Sequence, residues 1–141
     1  MTEQAVVDSC VAVKWVVREE HSDKAIELLS RDLQLIAPDF VLMEIANALW
    51  KNVKRGLLAA EGANVRLADV RSFFNKLLPT PDLVTDAFAL GNTVDAPIYD
   101  CAYVVAARRT GARLITADSK LIVKLVGTPD EARAVHIAEW K

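Results

Sequence analysis

The sequence is short of cysteine, histidine, glycine and proline, with two, two, five and five of them in 141 residues, and each scarcity removes a class of protein. Two cysteines cannot build a disulfide framework, and a chain this long buries roughly 68% of its unfolded surface without one, so both thiols are expected to be reduced. His21 and His136 have no partners at ligand spacing, which leaves no zinc site and makes packing in the core or at the surface their expected role. No linker, repeat or low-complexity tract divides the chain. No apolar stretch approaches the roughly 18 residues of a membrane span. The start, Met1-Thr2-Glu3-Gln4, has neither a basic segment nor a cleavage signal, so the expected location is the cytoplasm. Positive charge is not in excess: 17 Lys and Arg against 19 Asp and Glu leave a net charge of -2, so the molecule as a whole does not attract polyanions. Any binding of a polyanion must be local, or carried by a metal ion.

What is present is a chain that is 52% hydrophobic and 26% charged, the balance of one domain with its own core, spanning residues 1–141. Val6-Val7 followed by Asp8-Ser9 reads as a strand running into a capped helix, with apolar residues at helical spacing from Val11 to Val17. Ser22-Asp23 opens a second helix through Arg31, and Leu33 to Ala37 is a strand stopped by Pro38-Asp39. Phe40 to Arg55 is an amphipathic helix closed by Gly56. Ala59 to Leu78 reads as another helix, ended by Pro79 and Pro81, with an edge strand near Leu78 to Thr80. Val84 to Val94 and Ile98 to Arg109 are helices separated by Asp95-Ala96-Pro97, and Gly111 ends the second. Arg113 to Thr116 is a strand, Asp118 to Val126 a short helix, and Ala134 to Ile137 a last strand. Strands alternating with helices through short loops predict an α/β fold, a mostly parallel central sheet covered on both faces. In such sheets ligands gather beyond the carboxyl ends of the strands, where helix N-termini also meet.

Four acids are expected at that edge. Asp8 directly follows the first strand, and Asp118 follows the Leu114-Ile115-Thr116 strand after one residue. Glu44 and Asp100 lie in the first turns of their helices. Helix capping and the helix dipole account for any one of them taken singly. Together they form a pocket of like charges that cannot all remain ionised in a partly dry site, and a divalent cation resolves the conflict. Oxygen-only ligands favour Mg²⁺ or Mn²⁺. Such ions activate water and neutralise charge on a phosphodiester, which makes hydrolysis the natural reaction class. Asn47, three residues from Glu44 on the same helical face, and the hydroxyls of Ser9 and Thr116 beside the acids are the supporting polar groups.

Asp8-Ser9, Glu44-x-x-Asn47, Tyr99-Asp100-x-x-Tyr103 and Thr116-Ala117-Asp118, in this order and spacing, resemble the motif series of PIN-domain nucleases, in particular the VapC-type toxins of toxin–antitoxin pairs. The resemblance covers essentially the whole chain. It implies a three-layer α/β/α sandwich, Mg²⁺ or Mn²⁺ dependence, endonucleolytic cleavage of RNA, homodimerisation and a cognate antitoxin partner. It makes Asp8, Glu44 and Asp100 the principal metal ligands and Asp118 the fourth acid. Cys10 and Cys101, each just after one of these acids, depart from the small residues usual there, and packing is their expected role.

Other residues are assigned to structure. Lys51, Lys54, Arg55, Arg66, Arg71, Arg108 and Arg109 read mostly as solvated helix faces, with RNA phosphate contacts the alternative. Trp15, Trp50 and Trp140 read as core or dimer contacts, and Asp86 and Asp95 as surface acids. The other functions compatible with acids at strand ends are a housekeeping RNA-processing nuclease, a phosphoacceptor signalling domain, or a binding module without catalysis. The second lacks its expected lysine at the end of a late strand.

Overall fold

Apolar residues occupy three successive positions of strand β1 (Glu3–Val7), and Ala5, Val6 and Val7 all lie without exposed surface. Such a run suits a strand flanked on both edges and covered on both faces. In the computed structural model, which describes residues 2–141, β1 is indeed central. β2 (Leu33–Pro38) and β4 (Arg113–Thr116) pair with it on either side, and β3 (Lys76–Leu78) and β5 (Ala134–His136) form the edges. All four pairings are parallel, in the order β3-β2-β1-β4-β5. Val7 stands opposite Ile115, and the Asp8 amide extends that ladder by donating to the Ile115 carbonyl at 3.0 Å. The ends of β1 and β4 are thereby level.

The helices are α1 (Ser9–Ala12), α2 (Ser22–Ser30), α3 (Val41–Lys54), α4 (Ala60–Phe73), α5 (Val84–Val94), α6 (Ile98–Thr110) and α7 (Ser119–Leu125). With the sheet they form a three-layer α/β/α sandwich. α6 lies on β1, β2 and β4 and is covered in turn by α5. Its residues Cys101 through Ala107 are consecutively buried, as expected of a helix enclosed all round. Gly111 adopts φ 70° at its end, the left-handed position that glycine takes without strain.

Several boundaries differ from expectation. The helix read from Ala59 to Leu78 stops at Phe73, and its tail is the edge strand β3, earlier than the predicted Leu78 to Thr80. Asn75 causes the change: its side-chain oxygen accepts the Leu35 amide at 2.8 Å, and its own amide donates to the Leu35 carbonyl at 2.9 Å. The first helix is shorter than Val11 to Val17. α1 tightens into a 3-10 turn, Val13–Trp15, where the Trp15 indole donates to the Ala25 carbonyl at 2.7 Å and its ring packs on Phe73 and Phe74. Trp140 is buried, but Trp50 is not a core residue. α3 buries Val41, Ile45 and Leu49, so Trp50 falls one position round the helix and lies under the Lys54 ammonium, 4.9 Å from its ring centre. His21 and His136 stack edge to face with ring centres 5.6 Å apart. Among the described residues no helix is long and apolar enough to cross a membrane.

Candidate active site

Two neighbouring strand ends supply the first half of the site. The Asp8 side chain is almost fully buried. Its Oδ2 accepts the Thr116 hydroxyl at 2.8 Å, while Oδ1 lies 3.4 Å from the Ser9 hydroxyl and 3.5 Å from the Cys10 amide. Thr116, the last residue of β4, has no exposed surface, and its hydroxyl oxygen also accepts the Asp118 amide at 3.0 Å. One hydroxyl therefore joins both acids. Asp118 caps α7 through a single oxygen, Oδ1, which accepts the amides of Lys120 and Leu121 at 3.0 and 3.2 Å. Capping and site are compatible, because Oδ2 is left over.

Two helix starts supply the second half. Glu44, in the first turn of α3, accepts the Tyr103 hydroxyl on Oε1 at 2.6 Å. Asp100, in the first turn of α6, is half-buried one helical turn before Tyr103. Asn47 is exposed one turn after Glu44 and, with Glu44 and Ser9, lines a shared cavity. The sequence spacing thus brings Asp8, Glu44, Asp100 and Asp118 to one edge, with Ser9, Asn47 and Thr116 beside them.

The electrostatics follow from that convergence. Burial pushes the Asp8 carboxyl up to about 6, with further upward pressure from the charges of Asp100 and Glu44, against the lowering effect of the Thr116 bond. Asp100 is also raised, by desolvation and then by the charges of Asp118 and Glu44. None of the four acids has a salt bridge among the described residues. Nor do three His, Cys, Asp or Glu side chains among them stand together as a preformed metal cage. The acids face one another instead at distances over which their charges interact. An unpaired, oxygen-only set with a buried carboxylate at its centre fits a hard divalent cation, which would remove the repulsion.

Sequence reasoning missed two residues here. Tyr103 belongs to a quoted motif, yet its task of holding Glu44 requires α6 to lie beside α3. Lys14 is buried, lines the same cavity as Glu44 and donates to Glu19 Oε1 at 3.3 Å, and no motif signals it. Three other residues prove structural. Asp95 ends α5 in a left-handed turn, its carbonyl bonded by Lys124 at 2.5 Å, and Asp86 pairs with Arg109 at 2.9 Å. Cys10 packs into the site, its sulfur accepting the Ala117 amide at 3.3 Å.

Comparison with known proteins identifies the family and the fold. The family described as "PIN domain" matches residues 5–125. Ribonuclease VapC3 of Pyrobaculum aerophilum is 36% identical over 121 residues, 84% of this chain and 92% of that protein. The crystal structure of PAE2754 from the same organism superposes with a TM-score of 0.71 at 25% identity, covering 98% of this chain and 93% of the other. VapBC2 from Rickettsia felis, solved bound to a DNA fragment from its promoter, superposes with a TM-score of 0.69 at 14% identity, covering 98% and 99%.

Proposed function

This chain belongs to the PIN-domain family, and from that premise we propose that it is a metal-dependent ribonuclease that hydrolyses RNA phosphodiester bonds, acting as the toxin of a toxin–antitoxin pair. The observation that carries this reading is the meeting of four carboxylates, none of them ion-paired among the described residues, at the carboxyl edge of the sheet. RNA as substrate follows from the ribonuclease to which the chain is similar over most of its length. Asp8, Glu44 and Asp100 are the residues that would hold Mg²⁺ or Mn²⁺, with Asp118 completing the set. When bound, such an ion neutralises charge on the scissile phosphate and makes a water nucleophilic at neutral pH.

The chain's own groups do the positioning. Thr116 fixes the Asp8 carboxylate and ties it to the Asp118 backbone. Tyr103 holds one oxygen of Glu44, leaving the other for the site. Asp118 keeps Oδ2 to orient a water against the phosphate, and the Asn47 amide and Ser9 hydroxyl supply donors beside Glu44 and Asp8. Cleavage within the RNA chain is the part of this reading that rests on the resemblance to VapC-type toxins. The protein acts in the cytoplasm, as a homodimer, and its antitoxin covers the acids with a cationic side chain, whose planar form in arginine matches a carboxylate.

The test is cleavage of RNA by purified protein with Mg²⁺, with Mn²⁺ and with chelator, beside an Asp100→Asn control. Activity that needs either ion and disappears in the control is expected. Cleavage that survives complete metal removal, yet is lost in Asp100→Asn, overturns the metal role. Coexpression with the neighbouring small open reading frame should yield a stable complex. A chain that is harmless when expressed alone and copurifies with no small partner favours a housekeeping nuclease.

A further inference from the structure

A buried lysine beside an acidic site requires a reason. Lys14 is 8% exposed, although an ammonium group removed from water is costly unless well paired. Its one hydrogen bond among the described residues goes to Glu19 Oε1 at 3.3 Å. A charge-assisted bond of good geometry is shorter, about 2.7–2.9 Å. Glu19 is itself 39% exposed, so part of its charge is already satisfied by water. Lysine has three donor hydrogens, and this pairing engages one of them. The ammonium is thus held in place but weakly neutralised.

The space beside Lys14 gives that arrangement a use. A cavity of about 360 Å³ is lined from the first helical segment by Ser9 and Lys14, from the loop after it by Glu19, and from α3 by Glu44, Asn47 and Lys51. The first helical segment and α3 pack on each other. Glu44, Asn47 and Lys51 are spaced by three and four residues, so they form one stripe along α3 running from the acid cluster to an exposed ammonium group. A nucleic acid strand whose scissile phosphate lies at the acids must carry further phosphates past them. The molecule's net charge of -2 offers those phosphates no general attraction. Two lysines line this cavity, one of them immobilised by burial, and they provide that attraction locally once Glu19 is displaced from Lys14.

Resting on the ribonuclease reading above, we propose that Lys14, with Lys51 on the facing helix, binds the RNA phosphate neighbouring the one that is cut, and that Glu19 is its resting counter-ion, displaced as the strand enters. Burial keeps the ammonium in one place, so a bound phosphate is located as well as attracted. Glu19 lowers the cost of the buried charge in the free protein and competes with RNA for it.

The competing account is that Lys14 and Glu19 only brace the loop after the first helix. It predicts that loss of either partner has the same consequence. The two readings separate in the steady-state cleavage of a short single-stranded RNA at several salt concentrations. Lys14→Met should raise KM about tenfold, more than it lowers kcat, and flatten the dependence of log kcat/KM on log salt by about 0.7, the share of one phosphate contact. Lys14→Arg should restore the wild-type slope. Glu19→Gln should act in the opposite direction and lower KM. If Lys14→Met fails to fold, Glu19→Gln decides alone, since a raised KM in that variant overturns the proposal. Equal losses in Lys14→Met and Glu19→Gln, or an unchanged salt slope in Lys14→Met while the wild type cuts RNA, overturn this inference and leave the ribonuclease reading standing. A wild type that cuts no RNA removes that reading and this inference with it.

Discussion

Thr116 donates its hydroxyl proton to Asp8 Oδ2 at 2.8 Å across 108 positions of sequence, and both residues are buried. The same oxygen receives the Asp118 amide at 3.0 Å. Thr116→Val keeps the shape of the side chain and removes both bonds. It should destabilise the protein by about 1–3 kcal/mol, the cost of leaving buried polar groups without partners. Because the Thr116 bond lowers the Asp8 pKa, its loss should raise that value further. Denaturant unfolding measures the first effect. The second should appear as an upward shift of the acidic limb of the pH profile of cleavage.

Asp8 also makes metal-free stability depend on pH. Its folded pKa is raised from 3.8 to about 6, so the folded state binds more protons than the unfolded state between those values. The stabilising contribution is fully present below pH 3.8 and is lost as pH rises through 6. Asp8→Asn keeps an acceptor for Thr116 and removes the charge. In chelator at pH 8 it should melt higher than the wild type, by the equivalent of roughly 2–3 kcal/mol at most, with the advantage vanishing near pH 4. Mg²⁺ should raise the wild-type melting temperature by binding the folded state, and raise that of Asp8→Asn much less. Equal responses of the two proteins to Mg²⁺ would remove Asp8 from the ligand set.

Tyr103→Phe tests the positioning of Glu44. The phenol is 1% exposed, and it donates to Glu44 Oε1 at 2.6 Å. Removing the hydroxyl leaves the fold intact and lets the carboxylate turn. The apparent Mg²⁺ affinity should fall about 10- to 100-fold, the range seen when a group supporting a metal ligand is removed. Cleavage titrated against Mg²⁺ reads this directly. A variant with wild-type metal dependence would show that Glu44 needs no such support.

The cysteines should be unreactive. Burial, with the charge of Asp8 next, pushes the Cys10 thiol up to about 12, and burial, with the charge of Asp100 next, pushes Cys101 to about 11. Thiolate is the reactive species, so neither should be alkylated at pH 8 on the timescale at which both react in denaturant. Mass spectrometry of iodoacetamide-treated native protein provides the measurement. Rapid labelling of Cys10 would contradict the packing role.

The parts of the site visible in the sequence are those set by local pattern. Val6-Val7 before Asp8, and Leu114-Ile115-Thr116 before Asp118, announce strand ends, and parallel order then places both acids on one edge. Glu44 and Asp100 follow from helix starts. What the sequence hides is set by partners far along the chain. Leu77 and Leu78 continue the helical spacing of Phe73 and Phe74, so only the pairing of Asn75 with Leu35 reveals that the backbone has become a strand. Tyr103 looks like one more core aromatic until α6 brings it to Glu44. Lys14 sits among valines and a tryptophan, and neither periodicity nor motif marks it as the residue that enters a polar cavity.

The strand order has a consequence for biosynthesis. The first strand made is the central one, and its second neighbour, β4, is the fourth to leave the ribosome. Until β4 docks, Asp8 has no Thr116 and Asp100 no Asp118, so the emerging polypeptide carries no assembled site. Docking closes a loop of about 108 residues by parallel pairing, a non-local step that comes late in folding. The acids of this nuclease therefore come together only after residues 113–118 have been made and β4 has paired with β1. The delay before β4 docks is also the interval in which an inhibitor, already folded, can be waiting for it.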